Sequence, residues 1–331
     1  MSSHRIAVIG AGIAGLHLAR RLHQAGHAVT VFDKARGPGG RMAARRIEPG
    51  TIDHGAQYFT AIDPAFRHAM GSWSQAGVVA VWSPRLAHVD HDGRLSPKRE
   101  THTRFVGTPR MSAITRHLAR GLALRSGHRI TALSGEARQW HLHDANHDSF
   151  GPFDQVYLAL PGPQAQELLE VSGLDSTPLG HSHTAPCWAG MFAFDAPLAV
   201  SWDAADCEYG PVSWLARNTS KPGRGRRESW IVHANASWSQ AMLEHKPSEI
   251  LPLLRQALAE IAGPLPAETH AAAHRWRYAR VLTPAPAPYL HDSALGLGAC
   301  GDWGHAAKVE GAWLSADQLA DNILACASCA A

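Results

Sequence analysis

A chain of 331 residues, 45% of them hydrophobic, is long enough to bury one large core or two moderate ones. With 18% charged residues and a formal net charge of +3 it lacks the dense basic stripe of a nucleic-acid binder, and no apolar run reaches the roughly 18–20 residues of a membrane span. Five cysteines, an odd number, with Cys187, Cys207 and Cys300 far apart, argue against a disulfide framework, so the expectation is a soluble protein of the cytoplasm.

His4 to Ile9 (HRIAVI) reads as a short, fully buried strand, too soon broken by glycine to be a signal peptide. Gly10-Ala11-Gly12-Ile13-Ala14-Gly15 follows, and Leu16 to Ala25 then has helical spacing, with Leu18, Ala19, Leu22 and Ala25 on one side. Gly26 ends the helix, Ala28 to Phe32 is a second strand, and Asp33 closes it, near the spacing of about 20 residues expected of a dinucleotide fold. Gly10 permits the tight turn, Gly12 lets the main chain approach a pyrophosphate, and Gly15 lets the helix pack close to the strands. Ile13 and Ala14 stand at the helix N-terminus, whose unpaired N–H groups and positive dipole end suit phosphates, while Asp33 suits the hydroxyls of a ribose. These features predict an α/β chain with a Rossmann-type domain.

The loop after Asp33, KARGPGGRMAARR, chooses between dinucleotides. A nicotinamide dehydrogenase requires nothing special there. Gly39 and Gly40 would let the chain run beside the pyrophosphate, and Arg41 would neutralise it through charge-assisted hydrogen bonds, which points to FAD held non-covalently. Lys34 joins the candidate cofactor contacts; Arg36, Arg45 and Arg46 read either as solvated or as contacts to the phosphates of a substrate.

Further on, Thr108-Pro109 looks like an N-cap and first helical residue opening a helix to about Leu122. His128 to Leu133, Gln139 to His143 and Val156 to Leu160 read as strands, the last broken by Pro161-Gly162-Pro163. The runs Ala189 to Asp195, Val212 to Ala216 and Ser229 to His233 suggest a mixed or antiparallel sheet, and Pro252 to Ala262 a helix. Thr283 to Pro288 alternates with proline as an extended connection. Leu295 to Cys300 is a short apolar strand, Gly301-Asp302 ends it, and a helix runs from Glu310-Gly311-Ala312 to about Ala325, burying Ala316, Leu319, Ala320, Ile323 and Leu324. The FAD domain is therefore expected to be discontinuous, residues 1–65, 105–165 and 289–331, with a substrate domain over 66–104 and 166–288. Paired histidines (His88 and His91, His141 and His143, His181 and His183) lack the further ligands of a metal site, so no metal is expected, and the terminal Cys326-x-x-Cys329 reads as a frayed tail.

The strand, GAGIAG turn, helix, strand, acid and GGR loop together resemble the FAD-dependent amine oxidase superfamily. More narrowly, VFDKARGPGGRMAARR with DHGAQYFTA (Asp53 to Ala61), FDQVYLALPGPQAQELL (Phe153 to Leu169), WLARNTSKPGR (Trp214 to Arg224) and GDWGHAAKVEGAWLSADQLADNIL (Gly301 to Leu324) resemble the renalase family, particularly its bacterial branch. The resemblance implies that Ile130 passes the adenine and that Pro161 lies beside the cofactor. It also implies that Asp302 sits near the ribityl chain and phosphates, although an ordinary helix cap would explain that aspartate too. Glu310, Gly311 and Ala312 would turn a helix N-terminus toward the flavin N1–C2=O edge, where negative charge develops on reduction. Met42 and Ala56 join the candidate cofactor contacts, the loop with Gln57 and Tyr58 would return to the isoalloxazine, Trp188 is a candidate for the aromatic wall, and His233, Asn218 and Arg277 are weaker candidates for polar contacts to the substrate.

Members of that family oxidise the 2- or 6-dihydro isomers of NAD(P) by hydride transfer to flavin N5, giving NAD(P)+ and, with oxygen, hydrogen peroxide. No general base is needed, which agrees with the lack of an obvious acid–base constellation. The alternative is an amine oxidase, for which a lysine would position water; Lys98, Lys221 and Lys246 lie in polar segments that read as exposed, leaving Lys308 as the candidate. A third reading is a flavoprotein that binds without turnover. The expected partners are a small-molecule substrate and oxygen, with neither nucleic acid nor membrane.

Overall fold

Ile6, Ala7 and Val8 are completely buried, as a strand covered on both faces by helices and connections must be. They belong to the first of two units into which the chain divides: residues 1–41, 114–184 and 281–331, against 42–113 and 185–280. The computed structural model describes residues 3–48, 50–305 and 308–329.

In the first unit a six-stranded sheet runs Leu290–Asp292, Leu297–Ala299, Gln155–Leu158, Arg5–Ile9, Ala28–Asp33, Ala123–Ser126. All neighbours are parallel except the edge pair Leu290–Asp292 with Leu297–Ala299. The helix Ile13–Gln24 connects two of these strands and packs against the C-terminal helix Val309–Cys329. Their seam carries a polar clamp in which Asp317 accepts from His17 at 2.8 Å and also pairs with Arg21. A separate antiparallel meander, Ile130–Ser134, Trp140–Asp144 and Ser149–Phe153, contributes Leu133, Leu142 and Phe153 to the same core as Ala7, Ile9 and Phe32.

The second unit is built on a seven-stranded mixed sheet in the order Glu268–Thr283, His183–Phe194, Ser229–Ala234, Val212–Arg217, Ala204–Cys207, Leu86–Val89, Leu95–Lys98. Alternation decides its faces. Trp188, Phe192, Trp230, Val232 and Leu215 point to one side, where the helix Pro247–Ala262 lays Ile250, Leu254 and Leu258 over them. Each of these large side chains contributes about 1.5–3 kcal/mol on burial, so this face anchors the unit. The opposite face carries His233, His274 and Trp276 and packs against His54.

The fold is thus the expected α/β one, a discontinuous Rossmann-type unit with a second mixed sheet. The boundaries differ from the expectation. Residues 42–65 and 105–113 lie in the second unit, and 166–184 and 281–288 in the first. The reason is pairing. Thr51–Asp53 forms a hairpin with Ala44–Arg46, and Arg104–Gly107 pairs with Val79–Trp82, so both segments are tied to the second unit. The helix expected from Thr108 to Leu122 shrinks to Ala113–Leu118. Gly107 permits a close turn there, because a Cβ on it would lie 2.5 Å from the Met111 carbonyl oxygen. The side chain of Cys329 lies outside the described residues, so the Cys326/Cys329 pair has no structural counterpart here.

Candidate cofactor cradle and a buried ionic cluster

The first strand ends in a turn that only glycine can make. Gly10 has φ of +114°, and a Cβ on it would collide with the Ala159 carbonyl oxygen; a Cβ on Gly15 would collide with the Gly10 carbonyl oxygen. Gly12 is different. It is the N-cap of the helix, and a Cβ on it would meet nothing within 4 Å. No side chain caps that helix and no acid stands in its first turn, so the N–H groups that begin it have no side-chain acceptor. An open space above an uncapped helix N-terminus fits a phosphate.

Asp33 holds this turn in place. One carboxylate oxygen accepts the Ala11 N–H at 2.6 Å and the other the Ala35 N–H at 2.7 Å. A carboxylate has about four acceptor sites, so capacity is left for ribose hydroxyls. The glycine pair of the basic loop lies across the same turn: the Gly39 N–H donates to the Ala11 carbonyl at 2.9 Å, and a Cβ on Gly40 would stand 3.2 Å from the Gly12 Cα. This close approach, together with a φ of +51° at Gly40, accounts for the glycine.

Arg41 departs from the simple expectation that it serves phosphate alone. Its guanidinium forks onto the Asp302 carboxylate at 2.7 and 2.5 Å. Asp302 is 4% exposed, and a carboxylate so buried requires a cation or several donors beside it. Two candidate cofactor residues from opposite ends of the chain therefore hold each other. Next to them Gly301 donates to Ser315 at 3.0 Å, which fixes the start of the Asp302–Gly304 turn against the C-terminal helix. Glu310, Gly311 and Ala312 are buried in the first turns of that helix, Ile130 begins its strand half-buried, and Pro161 caps the helix Gly162–Val171. Lys34 is exposed. Met42, Ala56 and Gln57, also named as cofactor contacts, belong to the second unit.

In the second unit the two segments DHGAQYFTA and NTSKPGR meet in a buried ionic cluster. Asp53 has no exposure and Lys221 is 2% exposed. The Asp53 carboxylate pairs with Arg224, accepts from Lys221 at 3.4 Å and from the Met111 N–H at 3.0 Å. Lys221 donates to Gln57 Oε1 at 2.9 Å and lies 5.5 Å from the centroid of the Trp82 ring. The Gln57 amide is completed by donation to the carbonyls of Asp53 (2.7 Å) and Gly55 (3.0 Å). Asn218 accepts the Asp53 N–H and donates to the Thr51 carbonyl, bracing the hairpin. Burial pushes the Asp53 carboxyl up, but Lys221 and Arg224 outweigh it and hold the group below its ordinary range. Burial brings the Lys221 ammonium down to about 8, with Asp53 opposing and Arg224 assisting.

Beside the cluster the His54 ring stacks on Trp276 (centroids 5.1 Å) and meets His274 edge-on at 4.8 Å, and the His54 carbonyl accepts from Trp276 Nε1 (2.9 Å) and His233 Nε2 (3.2 Å). Burial, then His274, His233 and Arg45, push His54 down to about 3; burial pushes His233 down to about 4. Both imidazoles are neutral at pH 7. Tyr58 stands between Trp82 (6.2 Å) and Trp214 (5.5 Å), with the Arg104 guanidinium 4.5 Å from its centroid.

Several expectations are corrected. Trp188 lies in the core under the helix Pro247–Ala262, its indole donating to the Met242 carbonyl at 3.0 Å, so its environment is that of a packing residue. Arg277 forks onto Glu244 at the surface. Lys221, read as exposed, is the buried lysine, and Lys308, the lysine singled out, is exposed. Asp53, Arg224, His54 and His274 were not recognised as site residues. Their periodicity is unremarkable, and the one signal was that Asp53 and Arg224 stand in the two segments most specific to the narrower resemblance.

Comparison with known proteins agrees with this geometry. Residues 8–73 match the NAD(P)-binding Rossmann-like domain, and residues 62–324 match the flavin containing amine oxidoreductase family. The chain is 43% identical over 60 residues to a hydroxyneurosporene desaturase of Rubrivivax gelatinosus, and 47% identical over 51 residues to a 4,4'-diapophytoene desaturase of Staphylococcus aureus strain Newman. Those alignments take in 18% and 15% of this chain, and only 11% and 10% of the relatives' lengths. Among solved structures, a protein from Exiguobacterium sp. 255-15 described as a candidate protoporphyrinogen oxidase superimposes with a TM-score of 0.76 at 14% identity, over 98% of this chain and 99% of that one. Wild-type putrescine oxidase bound to putrescine gives 0.71 at 12% identity, again over 98% and 99%. The family match spans most of the sequence, the glycine cradle suits the dinucleotide, and the chain belongs to the flavin-containing amine oxidoreductases, with FAD as its cofactor.

Proposed function

We propose that the protein oxidises abnormal dihydro isomers of NAD(P), the 2- or 6-dihydro forms, to NAD(P)+. The observation that carries this reading is that DHGAQYFTA and NTSKPGR, the segments most like the renalase family, are the ones that build the buried cluster of Asp53, Gln57, Lys221 and Arg224. Features particular to that family are thus joined in one three-dimensional element.

In this reading the first turn of the helix Ile13–Gln24 holds the FAD pyrophosphate, Asp33 the adenosine ribose, and the Arg41–Asp302 fork the remaining phosphate and ribityl oxygens. FAD when bound supplies the hydride acceptor at N5. The dihydronicotinamide loses one hydride and gains an aromatic pyridinium, so the protein has no proton to remove. The second unit is consistent with that demand. His54 and His233 are neutral, and Lys221 is an ammonium at pH 7, donating to Gln57 and Asp53 rather than standing as a base. Molecular oxygen then takes the hydride's two electrons and proton together with one further proton from solvent, giving hydrogen peroxide. The test is anaerobic mixing of the FAD-loaded protein with 2-dihydro-, 6-dihydro- and 4-dihydro-NAD while flavin absorbance is followed. Fast bleaching by one abnormal isomer, with little from the 4-form, is expected; no bleaching by any of the three would overturn the reading.

One observation favours a second reading, an amine oxidase. Lys221 is a buried lysine brought down to about 8, the kind of group that orders water near a reacting amine. Reduction of the flavin by an amine panel, lost in Lys221→Met with FAD retained, would select it.

A further inference from the structure

Along the strand Ala28–Asp33 the first unit carries a groove of about 590 Å³, lined from Ala28 to Phe32. Arg5 and Ala28 begin their strands, and Arg125 pairs with Phe32, the residue before Asp33, so the groove reaches toward the cradle end of the sheet but shares no lining residue with the glycine turn or Asp33. Its size is that of a small-molecule site. Two arginines mark it. The Arg5 guanidinium lies 5.7 Å from the centroid of the Phe153 ring and the Arg125 guanidinium 5.9 Å from that of Phe150. Phe150 and Phe153 in turn rest on Phe32, at 5.1 and 5.9 Å, so the cations stand on a fixed aromatic base. Neither arginine has a carboxylate partner among the described residues, and the groove's lining contains no aspartate or glutamate, while Thr30 and Ser149 add hydroxyls.

His27, also in the lining, gives a second, independent sign. Its Nδ1 accepts the His4 N–H at 3.3 Å, and burial, then His4, push the ring's pKa down, so it is neutral and the proton sits on Nε2. That N–H is buried with no acceptor. It is an unpartnered donor in the lining of a groove flanked by two guanidinium groups that have no carboxylate partner among the described residues.

We infer that this groove binds a phosphorylated aromatic small molecule of mononucleotide size, at a site separate from the cofactor cradle. Arg5, whose guanidinium otherwise donates to the Gly151 carbonyl at 3.5 Å, and Arg125 take the phosphate through N–H groups, and the planar body lies against the Phe150 side of the groove, where the Arg125 guanidinium also offers a face for stacking. The feature that selects an anion is the absence of any acid in the lining. The feature that selects an aromatic body over bare phosphate is the ring-paved wall and a volume far larger than a phosphate needs.

The experiment uses the FAD-loaded protein, so that the cradle is filled, and titrates AMP and inorganic phosphate by calorimetry against wild type, Arg125→Gln and Arg5→Gln. Both arginines are exposed, so the variants are expected to fold and keep their flavin spectrum. Saturable AMP binding, at least tenfold weaker in each variant and weaker still for phosphate, is the expected result. AMP binding that both variants retain at wild-type strength would place the nucleotide elsewhere and overturn the proposal, as would no saturable binding at all. Phosphate binding as tightly as AMP would reject the aromatic half of it.

Discussion

The cradle around Gly12 is made almost wholly of main chain, and the cluster around Asp53 almost wholly of side chains. In the cradle the groups offered to a ligand are N–H donors, and the residues that open the way to them are those with no side chain to obstruct. In the cluster one carboxylate, one ammonium, one guanidinium and two amides hold each other through side-chain bonds with almost no exposure. The first arrangement is stiff because its conformations are sterically forced. The second is stiff because every partner lost strands a buried charge. The two should therefore fail differently, the cradle by losing its cofactor and the cluster by losing its fold.

The largest effect is expected at Asp53. Replacing it by Ala leaves Lys221 and Arg224 buried with no counter-ion, a loss of about 3–5 kcal/mol. Denaturant unfolding of the FAD-loaded protein measures it. A loss below about 1 kcal/mol would mean that water enters and solvates the two cations, and the cluster would not be the stiff element described. Lys221→Met sharpens the point, since Asp53 keeps Arg224 and the loss should be clearly smaller.

A pH titration of stability examines the neutral histidines next to that cluster. His54 and His233 have folded values of about 3 and about 4 against an ordinary 6.5. Below 6.5 the unfolded chain binds protons that the folded chain refuses, so stability is full above that pH and falls as the pH drops toward 4. Between pH 7 and 5.5 each should remove about 1 kcal/mol. His233→Gln should flatten part of the slope. An unchanged midpoint from pH 7 to 5.5 would show that the two rings protonate freely in the folded protein.

Gly15→Ala tests the cradle. Its new Cβ would collide with the Gly10 carbonyl oxygen, and the helix must back away at a loss of about 1–3 kcal/mol. Gly12→Ala is the control, because its Cβ enters open space; it should leave stability nearly unchanged while weakening FAD. Equal FAD affinity in the Gly12 variant and wild type would remove the phosphate from that position.

This contrast also explains what could be read before the fold was known. Gly10, Gly15 and Asp33 were legible because steric rules convert a local conformation into a residue type within one strand–turn–helix segment. The strands around them were legible from apolar runs, and the helix Val309–Cys329 from its buried spacing. Asp53 and Lys221 were not, because no local rule links residues that far apart, and a lysine between serine and proline looks like any solvated loop lysine. The hairpin Ala44–Asp53 moved the domain boundary for the same reason, since its attachment depends on Asn218 and Arg224, which are distant in sequence. Trp188 misled in the opposite sense, because a tryptophan's residue type does not say which face of a strand it occupies.

Arg41 joins the two styles, being a side chain set beside a main-chain site, and its loss is read chiefly in cofactor content. Its fork with Asp302 is partly open to solvent on the arginine side, 27% against 6%, so Arg41→Ala lets water reach the stranded Asp302 carboxylate and should cost less stability than Asp53→Ala, whose two cations stay enclosed. It should nevertheless purify depleted in FAD by severalfold, because the Asp302 carboxylate would then face the cofactor's phosphates with no cation between them. Arg41→Lys restores the charge without the two parallel N–H donors, and its FAD content should fall between the two. The ratio of flavin to protein absorbance, followed by titration of the apoprotein with FAD, reads both variants. If Arg41→Ala keeps wild-type FAD occupancy and affinity, the arginine serves Asp302 alone, and the main-chain donors at Gly12 to Gly15 hold the pyrophosphate without help from any side-chain cation.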